Sequence, residues 1–131
     1  MAASPSGLVA RSWKRLGPMA DRAANLFYDH LLEVAPAARA RLAPERMPEM
    51  RRALVARIDA AIGGAVGKQP PPAAGAPQDL LLGAPPAAGL EALLRTVRDM
   101  LAVEWSDDLA AAWASESPRL LQALAPASAA A

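Results

Sequence analysis

Residues 18–36 read PMADRAANLFYDHLLEVAP. Ala20, Ala24, Phe27, Leu31 and Val34 recur at spacings of three and four, which places them on one face of an α-helix. Prolines bound the stretch. Pro18 suits a first helical turn, where the missing N–H would have no intrahelical partner, and Pro36 cannot continue the helix. The period of two that marks a half-buried strand is absent here and everywhere else in the chain. The chain is therefore predicted to be all-α.

The same period extends outward. On the N-terminal side, Ser4 is placed to cap a helix with Pro5 at its first position, and Leu8, Val9, Ser12, Trp13 and Leu16 share a face until Gly17-Pro18. On the C-terminal side, residues 36–43 form a short turn or 3₁₀ corner. A third helix begins near Pro44-Glu45, carries Met47, Met50, Leu54, Ile58 and Ala61 in register, and frays at Gly63-Gly64 or Gly67.

Residues 68–86, KQPPPAAGAPQDLLLGAPP, interrupt this pattern with six prolines. An interior proline removes a backbone donor and clashes with the preceding turn, costing about 3 kcal/mol, so the segment reads as an internal loop. Only residues 78–82 are suited to a turn of helix, with Leu80, Leu81 and Leu82 pinned to the body. Neither flank holds enough core to stand alone, so residues 1–131 form one domain.

Beyond the loop, Leu90, Leu93, Leu94, Val97, Met100, Leu101 and Glu104/Trp105 form an amphipathic stripe. Ser106 caps a last helix, and Asp107 and Asp108 lie where the positive helix end favours carboxylates. Its core face is Leu109, Ala112, Trp113, Leu120, Leu121 and Leu124, with a kink or an end at Pro118. Residues 125–131 are expected to fray.

Composition narrows the function. Alanine makes up about a quarter of the 131 residues, aromatic residues 4%, and cysteine is absent. No thiolate chemistry or disulfide is available, and His30 is the single histidine, which excludes a multi-histidine metal site and leaves no serine–histidine–acid set beyond that one residue. The protein is expected not to be an enzyme. No apolar run reaches the ~18–20 residues of a membrane span, the N-terminus lacks a basic-then-apolar leader, and the expected location is cytoplasmic. Net charge is +1. The six arginines from Arg39 to Arg57 are diluted by Glu45, Glu49 and Asp59 without interleaved aromatics, so no nucleic-acid partner is expected. Gly63-Gly64 and Gly67-Lys68 follow a helix and lack phosphate-loop spacing.

Two blocks carry a resemblance. Residues 24–36, ANLFYDHLLEVAP, resemble the B helix and following corner of bacterial single-domain and flavohaemoglobin-type globins, with the Phe-Tyr pair, a later apolar position and a proline. Residues 100–113, MLAVEWSDDLAAAW, resemble the end of the G helix, the GH corner and the H helix with its Ala-Trp pair. The first helix, with Trp13, is similar to the A helix, and together the blocks span about 90 residues. The resemblance implies a globin-like fold with A-, B-, E-, G- and H-like helices and the F-helix region replaced by the proline-rich segment.

It also implies a pocket. Phe27, Tyr28, Leu31, Leu42, Met50, Leu54 and Val97 fall where the family surrounds its haem, Tyr28 at the distal tyrosine position and Met50 near the distal position of the E helix. Leu42 replaces the usual corner phenylalanine. A globin holds its iron through a proximal histidine on the F helix. Here that position falls near Ala76, and no histidine follows His30. Met47, Met50 and Met100 are chemically able to ligate iron but read as core filler, and His30, between Asp29 and Glu33, reads as exposed. No cofactor and no metal are therefore expected.

Three functions follow: a non-haem accessory, regulatory or interaction subunit with a protein partner or self-association; an apolar small-molecule binder in the vacated pocket; and a haem protein of unorthodox ligation that binds a diatomic gas. Tyr28 either points a hydroxyl into the pocket or sits in the core with its hydroxyl on a helix carbonyl or water. Trp13 and Trp113 read as packing, and Trp105 as the aromatic available to a partner.

Overall fold

The computed structural model describes residues 5–65 and 80–124. Six α-helices account for most of them: α1 Pro5–Leu16, α2 Ala20–Val34, α3 Met47–Ala65, α4 Pro86–Leu101, α5 Asp107–Ser115 and α6 Ser117–Leu124. Short 3₁₀ turns occupy Gly17–Met19, Pro36–Arg41, Pro44–Arg46 and Ala102–Glu104, and the described residues contain no strand. None of these helices is long and apolar enough to cross a membrane.

Local chemistry sets most boundaries. Pro18, Pro36 and Pro44 each begin or lie within a 3₁₀ turn, so the second and third helices start slightly later than their prolines suggest. Helix α3 runs through Gly63 and Gly64 to Ala65, where sequence reasoning placed fraying, and Gly67 lies outside the described residues. Pro86 occupies the first position of α4, a position that wastes no hydrogen bond. The Ser106 hydroxyl accepts from the Leu109 N–H at 3.2 Å and caps α5. The last helix breaks at Glu116, between α5 and α6, and Pro118 follows in the first turn of α6. The Ser4 cap, residues 66–79 and the 125–131 tail lie outside the described residues.

One buried cluster draws side chains from all six helices. Helices α2 and α4 pack together most extensively, α1 lies on α5, and α3 lies on α2 and α6. Fully buried Trp113 anchors the α1–α5 contact. Its indole N–H donates to Ser12 Oγ at 3.0 Å, and that hydroxyl donates to the Val9 carbonyl at 3.0 Å. The relay satisfies two buried polar groups that would otherwise oppose burial. Trp13 is only partly buried and donates its own N–H to Asp59 of α3. Arg57 closes the α3–α6 contact by donating from Nη1 to the Ala123 carbonyl at 3.2 Å, in the last turn of α6, where carbonyls lack helical partners.

The buried face of α4 differs from the leucine stripe. It consists of Ala88, Gly89, Ala92, Leu93, Thr96, Val97 and Leu101, whereas Leu90, Leu94 and Met100 are only partly buried. The reason is close approach by another element. The turn before α4 buries Leu80, Leu81 and Leu82, as the pinned leucine triplet implied. A Cβ on Gly89 would stand 2.7 Å from Leu81 Cδ2, so small residues on α4 make room for Leu81 and rotate the larger leucines outward. The turn itself closes through Leu82 and Gly83, at φ +53° and +83°, a left-handed path that glycine accommodates and leucine resists.

Candidate functional site

Most of the residues expected to surround a haem are buried. Phe27, Tyr28 and Leu31 of α2, Met50 and Leu54 of α3, and Val97 of α4 are all buried in the common core. Leu42 is partly buried against it, on extended backbone after the second 3₁₀ turn. The rings of Phe27 and Tyr28 meet edge to face at 5.1 Å. Leu81 and Leu82 join the same cluster from the turn before α4.

Tyr28 has its hydroxyl engaged. It donates to the Leu80 backbone carbonyl at 2.8 Å, in a buried hydrogen bond between α2 and the leucine turn. The acceptor is thus a turn carbonyl, not the helix carbonyl or water expected. His30 departs further from expectation. Its side chain is 15% exposed, with Nδ1 at 3.0 Å from Glu33 Oε1 and Nε2 at 2.8 Å from Asp99 Oδ2. It clasps α2 to α4, because the packing of these two helices brings Asp99 beside it from 69 residues away.

Iron in a globin is held by a proximal histidine. Among the described residues, both nitrogens of the one histidine face carboxylates and the Tyr28 hydroxyl is bonded to Leu80. These donors do not fit a haem held in that way. No group of three or more His, Cys, Asp or Glu among the described residues is arranged to hold a metal ion.

The more open feature lies on the outside of α4. Leu90, Leu94 and Trp105 line an open trough of about 610 Å³, edged by Glu91, Arg95 and Arg98. Helical spacing puts Leu90, Leu94 and Arg98 in one row. Glu91 pairs with Arg95 at 2.6 Å within the helix. Arg98 is exposed and makes no ion pair among the described residues. The His30 clasp forms part of the same wall, while its partner Asp99 lines a second depression of about 470 Å³ with Arg22, Asn25 and Asp29.

Trp105, singled out from sequence, is therefore present in the trough and half-buried. Leu90 and Leu94 read as members of the amphipathic stripe, and both are partly buried against the core while lining the trough. A signal for their true place exists in Ala88, Gly89 and Ala92, whose small side chains mark the face that another element approaches closely. With that face buried, Leu90 and Leu94 lie at its edge, partly buried against the core and lining the trough.

The chain matches no protein-family model, no curated protein and no solved structure.

Proposed function

We propose that the protein is a non-haem, globin-like helical domain that works through protein contacts, as an accessory, regulatory or interaction subunit, and that the trough around Trp105 is its contact surface. The A-, B-, E-, G- and H-like assignments fall on α1, α2, α3, α4 and α5–α6. The order of these helices supports them, as does the meeting of Phe27, Tyr28, Leu31, Met50, Leu54 and Val97 in one core.

One observation carries the interaction reading. The residues that would line a haem pocket belong to the same core as Leu81 and Leu82, and the Tyr28 hydroxyl is bonded to Leu80. Leu90, Leu94 and Trp105 instead offer apolar surface on the outside, where burial by a partner gains free energy in proportion to area.

Light scattering on the untagged chain purified from its native source tests this reading. A defined complex, dissociated by Leu94→Glu, is expected. A sharp monomer with no partner retained would overturn it. Titration with hemin is the companion measurement: a flat Soret region agrees with the proposal, whereas a stoichiometric Soret band would move the function to haem-based gas binding. An apolar compound seen by native mass spectrometry, released by substitutions at Leu54 or Val97 but not at Leu94, would move it to small-molecule binding.

A further inference from the structure

We infer that His30 is a proton-operated clasp. Its doubly protonated ring ties Asp99 of α4 to Glu33 of α2, and loss of one ring proton loosens the joint between the two helices. This role of His30 is independent of what the trough receives.

The two contacts make opposite demands on a neutral ring. Nδ1 lies 3.0 Å from Glu33 Oε1, and Nε2 lies 2.8 Å from Asp99 Oδ2. An ionised carboxylate only accepts, so each contact needs a proton on the ring nitrogen. The imidazolium supplies both protons. Neutral imidazole supplies one and turns a lone pair on the other oxygen. Either tautomer weakens the tie to Asp99. With the proton on Nδ1 the tie is lost. With the proton on Nε2 the ring no longer carries the positive charge that adds to such a bond.

Nothing else stands ready to replace the ring. His30 is the one cationic partner of Glu33 and of Asp99 among the described residues. On the α2 side, Arg22 and Asp29 line the depression that Asp99 also lines. On the α4 side, Glu91, Arg95 and Arg98 share the trough wall with His30. Glu91 and Arg95 pair with each other, and neither Arg22 nor Arg98 makes an ion pair among the described residues. With the ring neutral, Asp99 therefore has no second cation seated on it.

The position gives the proton leverage. Helices α2 and α4 form the most extensive helix contact of the fold, and the clasp bridges them across 69 residues of chain. Histidine is the side chain that ordinarily changes charge between about pH 5 and 8, while carboxylates stay ionised. No other histidine in the chain competes for the effect.

A double-mutant cycle on the full chain, with His30→Gln and Asp99→Asn, tests the clasp by urea unfolding at about pH 5.5 and about pH 8.5. The pair is expected to be coupled by about fivefold in the unfolding constant at the lower pH, and by about twofold or less at the higher. Equal coupling at both values, or none at the lower, would overturn the clasp. Glu33→Gln is the diagnostic background. Its amide N–H can donate to the bare ring nitrogen, leaving the other free to donate to Asp99, so the coupling should fall less on raising the pH. An equal fall there would overturn the need for two ring protons. Hydrogen exchange on the unsubstituted chain keeps the test open if His30→Gln does not fold. After correction for intrinsic rates, amides from Val97 to Leu101 should lose protection as pH rises, and Asp99→Asn should remove most of that dependence. Protection that stays constant with pH in the unsubstituted chain would sink the inference.

Discussion

The phenol of Tyr28 donates to the backbone carbonyl of Leu80 at 2.8 Å, joining residues 52 positions apart. The bond ties α2 to the turn that carries Leu80, Leu81 and Leu82 into the core. Phe27 leans on the same ring edge to face. One hydroxyl thereby satisfies a buried carbonyl and ties the leucine turn to α2.

Removing that hydroxyl tests its worth. Tyr28→Phe keeps the ring but leaves the Leu80 carbonyl buried without this donor, at an expected cost of about 1–2 kcal/mol. Urea denaturation should show a lower midpoint with an unchanged slope. An unchanged midpoint would mean that the carbonyl finds water or another donor.

Gly89 and Leu81 are expected to be coupled. Alanine at Gly89 gains about 1 kcal/mol of helix propensity but brings a Cβ to 2.7 Å from a buried Leu81 methyl. Overpacking of this kind costs about 1–3 kcal/mol, so Gly89→Ala should be neutral to destabilising in the native background. In a Leu81→Ala background the same change should become stabilising. A double-mutant cycle by chemical denaturation reads the sign change.

Ser12 stands between Trp113 and Val9. Ser12→Ala strands the Trp113 indole N–H, which is fully buried, and should destabilise by about 1–3 kcal/mol. Ser12→Thr retains a hydroxyl and should recover part of the loss if its methyl is accommodated. Thermal unfolding followed by near-ultraviolet circular dichroism reports both effects.

Ala102 adopts φ +46° and ψ −108° where α4 hands over to the next turn, and it is exposed. A non-glycine residue in such a sparsely populated region costs about 1–3 kcal/mol, and an exposed methyl has little packing to lose. Ala102→Gly should therefore raise stability, by about 0.5–1 kcal/mol after the greater entropy of unfolded glycine is counted. Leu82, at φ +53° but buried, should lose stability on the same change because its side chain fills the core.

Leu93 and Leu94 are neighbours with different fates. Leu93→Ala opens a cavity in the core and should cost about 2–5 kcal/mol, while Leu94→Ala, at the trough, should cost about 1 kcal/mol or less. Parallel denaturation curves distinguish them. Similar losses for both would place Leu94 in the core and remove the basis for the trough.

How far the sequence could be read depended on how local the deciding physics was. The Ser106 cap, the proline-started turns and the leucine triplet were legible because each involves a few adjacent residues. Helix α4 was legible as a helix but not in its rotation. Its apolar arc is wide enough to include both Leu93 and Leu94, and periodicity does not say which edge of a wide arc is buried. Leu81 makes the choice by packing on Gly89. His30 was misplaced for a similar reason: beside Asp29 and Glu33 it looks solvated, and its second carboxylate arrives from α4.

The order of residues alone determines that this chain is helical, where its turns lie, and that no histidine after His30 is available to hold iron, because periodicity, capping and composition are properties of the chain itself. Tertiary structure alone decides that Tyr28 bonds Leu80, that His30 bridges to Asp99, and that Leu90 and Leu94 face a trough with Trp105. Those outcomes depend on the relative rotation and approach of whole helices. Packing sets these collectively, since a buried face is chosen by the volume of the elements that meet it.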